Sequence, residues 1–297
     1  MSAPGLQLTL ALPAGFRVED ILQFHRRDRE AVAEAVGADR LRKGLLWRGL
    51  PACLEVVFAG AQARVQLAVD GPVLAGDLRE LEACVSRMLG LTQAVEDFEA
   101  RFGTHPELGP LIARQRGLRV PVAASPFEAL VWAITGQQIS VHAAISMRRK
   151  LILATGVPHS DGLYCHPDAP RLAAASEATL RAAGLTASKA ATVLAVSAAA
   201  ADGRLPLAAW TSALPAAEAE RLLLDQRGIG PWTVNYTLLR GYGWLDGSLH
   251  GDVAVRRGLQ QLLGAATRLE AARTADWLAQ FSPWRALVAA HLWAGGG

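Results

Sequence analysis

Near residue 77 the sequence changes texture, and that change limits the architectures open to it. From there to the end, apolar residues recur at a period near 3.6 in stretches broken by Gly and Pro. The stretches are 77–90, 93–102, 107–116, 126–155, 169–183, 187–202, 215–226, 231–241, 252–264, 268–280 and 283–293. That period lines apolar side chains along one stripe of a helix, so the C-terminal two-thirds is predicted to be all-helical. The first 76 residues read differently. Residues 6–12 (LQLTLAL), 52–58 (ACLEVVF) and 63–69 (ARVQLAV) alternate, the last two across a Gly-Ala-Gln turn, which predicts an antiparallel sheet with a hairpin. Residues 21–36 (ILQFHRRDREAVAEAV) carry helical period. The expected architecture is mostly α: an N-terminal α+β domain over 1–76, then a helical region over 77–297.

Composition narrows the function classes. With 297 residues the chain can build a sizeable core, and although 51% of them are apolar, no run reaches the roughly 18 consecutive apolar residues of a membrane span. The opening MSAPGLQLTLALPAGF has no basic segment ahead of its apolar stretch, so no signal peptide is read and a cytoplasmic protein is expected. Cys53, Cys84 and Cys165 are scattered without CxxC spacing, and His142, His250 and His291 match no ligand pattern, so no metal site is expected. His250 reads instead as a cap on the turn before Asp252. The net charge is +3 with a pI near 9.0, which permits nucleic-acid binding without requiring it. Only Lys43, Lys150 and Lys189 are lysines. The remaining basic residues are arginines, which grip phosphate in a bidentate manner, though a compositional bias explains them equally.

The segment 220-ERLLLDQRGIGPWTVNYTLLRGYG-243 sets an apolar helix, then Gly228-Ile229-Gly230, then a second helix opened by Pro231. Two glycines permit positive φ and leave the backbone bare, so a phosphate can approach the amides that begin the second helix. Proline suits the first turn, where its missing amide would have no partner. Ile229 is expected to point inward and pin the turn. An ordinary helix corner with a glycine cap has the same local pattern. Twenty-two residues beyond Gly230, in 248-SLHGDVAVRRGLQQLLG-264, Asp252 stands at the mouth of a helix; alone, it reads as a helix cap before it reads as a catalyst.

Together, GIGPWTVNYTLLRGYG and HGDVAVRRGL resemble the helix-hairpin-helix/Gly-Pro-Asp DNA glycosylase superfamily, and within it the bacterial 3-methyladenine DNA glycosylase II (AlkA-like) group. Residues 125–144 (SPFEALVWAITGQQISVHAA), 180–197 (LRAAGLTASKAATVLAVS) and 282–293 (SPWRALVAAHLW) resemble further parts of that family, so the likeness covers nearly the whole chain. It implies a cleft between two helical lobes, roughly 126–244 and 77–125 plus 245–297. It implies Asp252 as the catalytic carboxylate, and Gly228, Gly230 and the amides around Trp232 and Thr233 as the phosphate-binding turn. It implies Gln138 as the wedge filling the gap left by a flipped base, and Trp232, Tyr236 and Trp293 around the base pocket. Core packing is the alternative for those aromatics. The carbonyls of Leu224, Gln226 and Ile229 are candidates for a structural monovalent cation; no other cofactor is implied.

The chemistry expected is hydrolysis of an N-glycosidic bond in double-stranded DNA containing damaged bases, with no membrane and no obligate protein partner; a monomer is expected. A stacked base hides its bond and must be extruded, at a cost of about a few kcal/mol. Alkylation at N3 or N7 makes a purine cationic and a good leaving group. The enzyme then needs a carboxylate beside the oxocarbenium-like sugar and electron-rich rings over the base. Bifunctional relatives place a lysine two residues beyond the second glycine; here Trp232 stands there, and Lys189 reads as a solvated surface residue, so a monofunctional enzyme is expected. The alternatives are a non-catalytic hairpin DNA-binding protein and an oxidised-guanine glycosylase/lyase.

Overall fold

In a computed structural model, residues 5–295 are described. The first part runs β1 (Gly5–Ala11), α1 (Val18–His25), β2 (Glu34–Val36), β3 (Arg40–Trp47), β4 (Leu50–Ala59), β5 (Gln62–Val69) and α2 (Asp77–Met88). Helices follow: α3 (Val95–Phe102), α4 (Gly109–Arg114), α5 (Pro126–Gly136) and α6 (Val141–Thr155). A short ladder, β6 (Val157–Pro158) with β7 (Tyr164–Cys165), interrupts them. The chain closes with α7 (Ala169–Ala173), α8 (Glu177–Ala182), α9 (Ala187–Ala201), α10 (Ala216–Leu224), α11 (Pro231–Tyr242), α12 (Val253–Leu262), α13 (Ala271–Ala279) and α14 (Arg285–Gly295).

The large sheet is antiparallel in the order β1-β5-β4-β3-β2. Its register sets Leu8 opposite Val65 and Leu10 opposite Ala63, so the period-2 alternation puts apolar side chains on a shared face. Ile21 and Leu22 of α1 and Leu81, Val85 and Met88 of α2 share that core. The sheet's core thus reaches past residue 76.

Three sequence expectations are corrected. The helix expected over 21–36 ends at His25, because Ala31 takes φ +51 in a turn whose amide bonds the Asp28 carbonyl, and Glu34 enters β2 to meet Lys43. β3 was not expected: its buried face, Leu41, Lys43, Leu45 and Trp47, includes a lysine, and two arginines precede it, so RLRKGLLW shows no apolar alternation. The C-terminal part is not all-helical, since β6 and β7 pair and Tyr164 extends the contact to the Val32 carbonyl.

Two apolar cores fill the helical part. Ala133 of α5 and Leu239 of α11 belong to one, which also holds Val255 of α12 and Leu287 of α14. Leu130 and Ile134 of α5 and Val234 and Leu238 of α11 belong to the other, with Val193 of α9 and Leu223 of α10. Helices α5 and α11 therefore form the shared wall between two lobes. They approach so closely that a Cβ on Gly241 would touch Pro126 Cα at 3.1 Å. The sheet is tied to this wall by charge. Lys43, fully buried in β3, donates to Glu34 at 2.7 Å and to Glu128 of α5 at 2.8 Å, and Arg148 of α6 donates to both carboxylates at 3.2 and 2.7 Å. Burial opposes these charges, yet Lys43 and Arg148 more than offset it, holding Glu34 well below the usual carboxylate range and Glu128 at about 2.

Candidate functional site

The hairpin joins α10 to α11. Gly228 adopts φ +86, and a Cβ there would overlap Thr192 Oγ1 of α9, so conformation and close approach both require glycine. Gly230 is different from the expectation: it sits at φ −112, ψ 175 as the N-cap of α11, with open space where a Cβ would point. Its contribution is bareness, not positive φ. Ile229 is buried between the two, and its amide bonds the Gln226 carbonyl at 3.1 Å. Pro231 opens α11, and the first amide with a partner inside the helix is that of Val234, to the Gly230 carbonyl at 3.1 Å. The amides of Trp232 and Thr233 are left pointing out of the N-terminus, where the helix dipole favours an anion.

Asp252 is the N-cap of α12. Its Oδ1 accepts from the amides of Ala254 (2.9 Å) and Val255 (3.0 Å) and from the indole of Trp293 (3.1 Å), while Oδ2 accepts from the indole of Trp232 (2.8 Å). Capping and orientation are thus one arrangement: the cap fixes the carboxylate against α12, and two indoles from α11 and α14 fix its plane. Three residues that the sequence put at the site meet at one carboxyl group.

Tyr236 stands between the two tryptophans, its ring centroid 5.2 Å from Trp232 and 6.3 Å from Trp293, and its hydroxyl accepts from the Trp132 indole at 2.9 Å. Tyr236 lines a cleft with Trp132, Phe24, Arg27 and Arg240; an adjoining cleft shares the last three and adds Trp293. Trp232 lines neither, having turned its indole to Asp252. Sequence reasoning missed Phe24, Arg27, Trp132 and Arg240. Arg27 lies 4.0 Å from the Phe24 centroid and 5.3 Å from that of Trp132, and Arg240 lies 4.8 Å from Phe24 and 5.6 Å from Trp293. Burial lowers Arg240 to about 10. One signal was available for Arg240: it follows Tyr236 by four residues, on the same face of α11. Phe24 and Arg27 come from the N-terminal part, so nothing in the hairpin points to them.

Gln138 occupies the turn between α5 and α6, exposed, in the left-handed region at φ +56. Its neighbour Gln137 was not singled out from sequence, yet its amide Nε2 donates to the Gly228 carbonyl at 3.0 Å and to Thr233 Oγ1 at 2.9 Å. Lys189 corrects its expectation as a solvated residue: Nζ donates to the carbonyls of Thr135 (2.8 Å) and Gln137 (2.7 Å), and burial lowers its pKa. His250 pairs with Ser248 at 2.9 Å, one turn before the Asp252 cap. His291 is buried against Gln115 at 2.7 Å, and His142 is exposed. Among the described residues, Cys53, His159 and Asp161 bring donor atoms within 4.8 Å of one another. The Arg42 guanidinium already bonds both Asp161 and Cys53 there, and burial pushes the thiol up to about 12, so this cluster is an internal ion pair.

No helix is long and apolar enough to cross a membrane among the described residues. Residues 7–125 match the AlkA N-terminal domain, and residues 131–280 match the family described as HhH-GPD superfamily base excision DNA repair protein. The chain is 32% identical over 188 residues to DNA-3-methyladenine glycosylase 2 of Escherichia coli, covering 63% of each protein. It is 30% identical over 225 residues to the probable bifunctional transcriptional activator/DNA repair enzyme AlkA of Mycobacterium tuberculosis, covering 73% of this chain and 43% of that one. The alignments therefore span less than two thirds of either relative. In fold it is similar to a 3-methyladenine DNA-glycosylase from Archaeoglobus fulgidus, with a TM-score of 0.81 at 20% identity over 97% of both chains. Through the domain that holds the hairpin and Asp252, this chain belongs to the HhH-GPD superfamily of base excision DNA repair proteins.

Proposed function

We propose that the protein is a monofunctional DNA glycosylase that extrudes an alkylated purine from duplex DNA and hydrolyses its N-glycosidic bond, leaving an abasic site. The observation that carries this reading is the Asp252 carboxylate, held by two amides and two indoles beside an aromatic cleft. A helix cap alone needs only the amides. The names of the relatives, both of which refer to glycosylase or DNA repair activity, support the same chemistry.

In this mechanism the bare amides of Trp232 and Thr233, with Gly228 and Gly230, take a backbone phosphate and read no sequence. Gln138 enters the stack as the base leaves. The base lies against Tyr236 and Trp293, with Trp232 behind. The C1′–N bond breaks with its electron pair going to the base nitrogen, and Asp252 stabilises the positive sugar that forms. One water adds at C1′ and one proton is released. Fixed donors on both carboxylate oxygens mean that Asp252 needs little reorganisation as charge develops. The carbonyls of Leu224, Gln226 and Ile229 are neutral oxygen donors of the kind a monovalent cation takes, which would brace the turn; Gln226 already accepts the Ile229 amide.

Covalent lyase chemistry lacks its nucleophile: Trp232 occupies the lysine position, and Lys189 is engaged by two carbonyls. The test is single-turnover release of methylated purines from alkylated duplex, comparing wild type with Asp252→Asn. Release by wild type with a loss on the order of a hundredfold or more in the variant is expected. DNA binding without release by either would establish a binding module, and a borohydride-trapped adduct would establish a lyase.

A further inference from the structure

We infer that Lys189 is a positioning residue for base extrusion, fixing the turn that carries Gln138 at a set distance from the phosphate-binding hairpin. The inference rests on the glycosylase reading above and on Gln138 as its wedge.

The turn after α5 has little to hold it by itself. Gln138 is a non-glycine residue at φ +56, a conformation costing about 1 kcal/mol or more that persists only when its surroundings impose it. The last carbonyls of α5 have no partner within the helix. Lys189, in the first turn of α9, supplies both needs: its ammonium bonds the carbonyl of Thr135 in the last turn and that of Gln137, the residue just before Gln138. A cation is also the charge that a helix C-terminus favours. From the other side, Gln137 Nε2 reaches the Gly228 carbonyl and Thr233 Oγ1, stitching the turn to the hairpin.

Helix α9 meets the hairpin as well. Thr192, three residues after Lys189 and so on the same face, fills the space a Gly228 side chain would need. One face of α9 thus templates two loops, the wedge turn through Lys189 and the phosphate turn through Thr192, with Gln137 as the strut between them. A rigid spacing is what extrusion needs, since the wedge must enter the stack while the phosphate is held. A displacement of about 1 Å in such a constellation costs on the order of a hundredfold in rate. Among the described residues the Lys189 ammonium bonds backbone carbonyls alone, so it acts through the turn and not on the reacting bond.

The experiment compares wild type, Lys189→Met and Lys189→Arg in single-turnover release of a methylated purine from two duplexes, one with the lesion paired and one with it opposite an abasic site, where no pairing opposes extrusion. Fluorescence of 2-aminopurine beside the lesion reports extrusion directly. The inference expects Lys189→Met to lose on the order of tenfold more on the paired duplex than on the unpaired one, with a smaller fluorescence rise. Lys189→Arg, which keeps a cation and donors, recovers most of the difference. Equal losses on both duplexes, or none on either, overturn the positioning role while leaving the glycosylase reading intact. Wild type that releases nothing from either duplex overturns that reading, and the inference with it.

Discussion

The indole of Trp232 donates a 2.8 Å hydrogen bond to Oδ2 of Asp252, the one side-chain donor on that oxygen among the described residues, while its own backbone amide lies in the first turn of α11, proposed above to take a phosphate. The residue therefore has two separable duties. Trp232→Phe removes the indole donor and keeps the amide and the ring. A hydrogen bond to a charged group contributes about 1.5–3 kcal/mol, so the single-turnover rate is expected to fall roughly tenfold to a hundredfold with DNA affinity unchanged. Trp293→Phe, which removes a donor from Oδ1, moves in the same direction but less, because Oδ1 keeps two amides. Affinity that falls in step with the rate would show that Trp232 acts through binding instead.

The two hairpin glycines predict opposite phenotypes. Gly228→Ala forces a side chain into Thr192 at positive φ, and a stability loss of about 1–3 kcal/mol is expected, visible as a lower Tm. Gly230→Ala meets nothing within 4 Å and sits where any residue is allowed, so its Tm should match wild type. Its methyl group instead crowds an approaching phosphate, and affinity for undamaged and damaged duplex should fall together. A Gly230→Ala protein that binds both normally removes Gly230 from the phosphate contact.

Acid should unfold this protein in two stages. His166 and His291 are buried, and burial holds each at about 4, below the ordinary 6.5. Each is neutral in the folded chain, whereas the unfolded chain takes up a proton near 6.5. The stability they confer is complete above pH 6.5 and lost as pH falls toward 4, at about 1.4 kcal/mol per pH unit for each, or about 3 kcal/mol apiece. His25 is lowered in the same direction. Below about 4.5 the second stage begins, as protons are taken up by an unfolded chain whose Glu34 and Glu128 have lost the cations that depress them. Tm measured against pH should show both stages, and His166→Gln should flatten the first. A His166→Gln profile parallel to wild type between pH 6.5 and 4 would refute this assignment.

What was legible in the sequence was local. Gly-Ile-Gly-Pro, a capping aspartate and the i, i+4 pair Trp232 and Tyr236 are short-range signals; Trp293 entered only through the family resemblance, and the structure brings all three aromatics and Asp252 together. The illegible parts depend on distant pairing. Lys43 interrupts the apolar alternation and hid a strand inside the sheet, yet it is fully buried because Glu34 and Glu128, from two other elements, neutralise it. Lys189 reads as surface until the end of α5 is seen above it. Phe24 and Arg27 lie more than a hundred residues from the hairpin whose cleft they wall, so no local pattern could join them to it.

Arg27 sets the final prediction. An alkylated purine cation gains from aromatic faces, but here guanidinium groups already stand over them: Arg27 at 4.0 Å from Phe24 and 5.3 Å from Trp132, Arg240 at 5.6 Å from Trp293. An alkylated purine held by Tyr236 and Trp293 meets the Arg27 guanidinium where it reaches toward Phe24 and Trp132, so Arg27 weakens the gain of a cationic base, while a neutral base with acceptor atoms meets a donor there. Arg240 also bonds the Pro121 carbonyl, so removing it would loosen backbone; Arg27 makes no such bond among the described residues and is the cleaner change. Arg27→Gln should therefore raise release of cationic methylpurines relative to neutral bases by roughly fivefold, about 1 kcal/mol, in competition assays on a mixed-lesion duplex. An unchanged ratio would mean that the flipped base does not reach Phe24 and Trp132, and that Tyr236 and Trp293 alone discriminate.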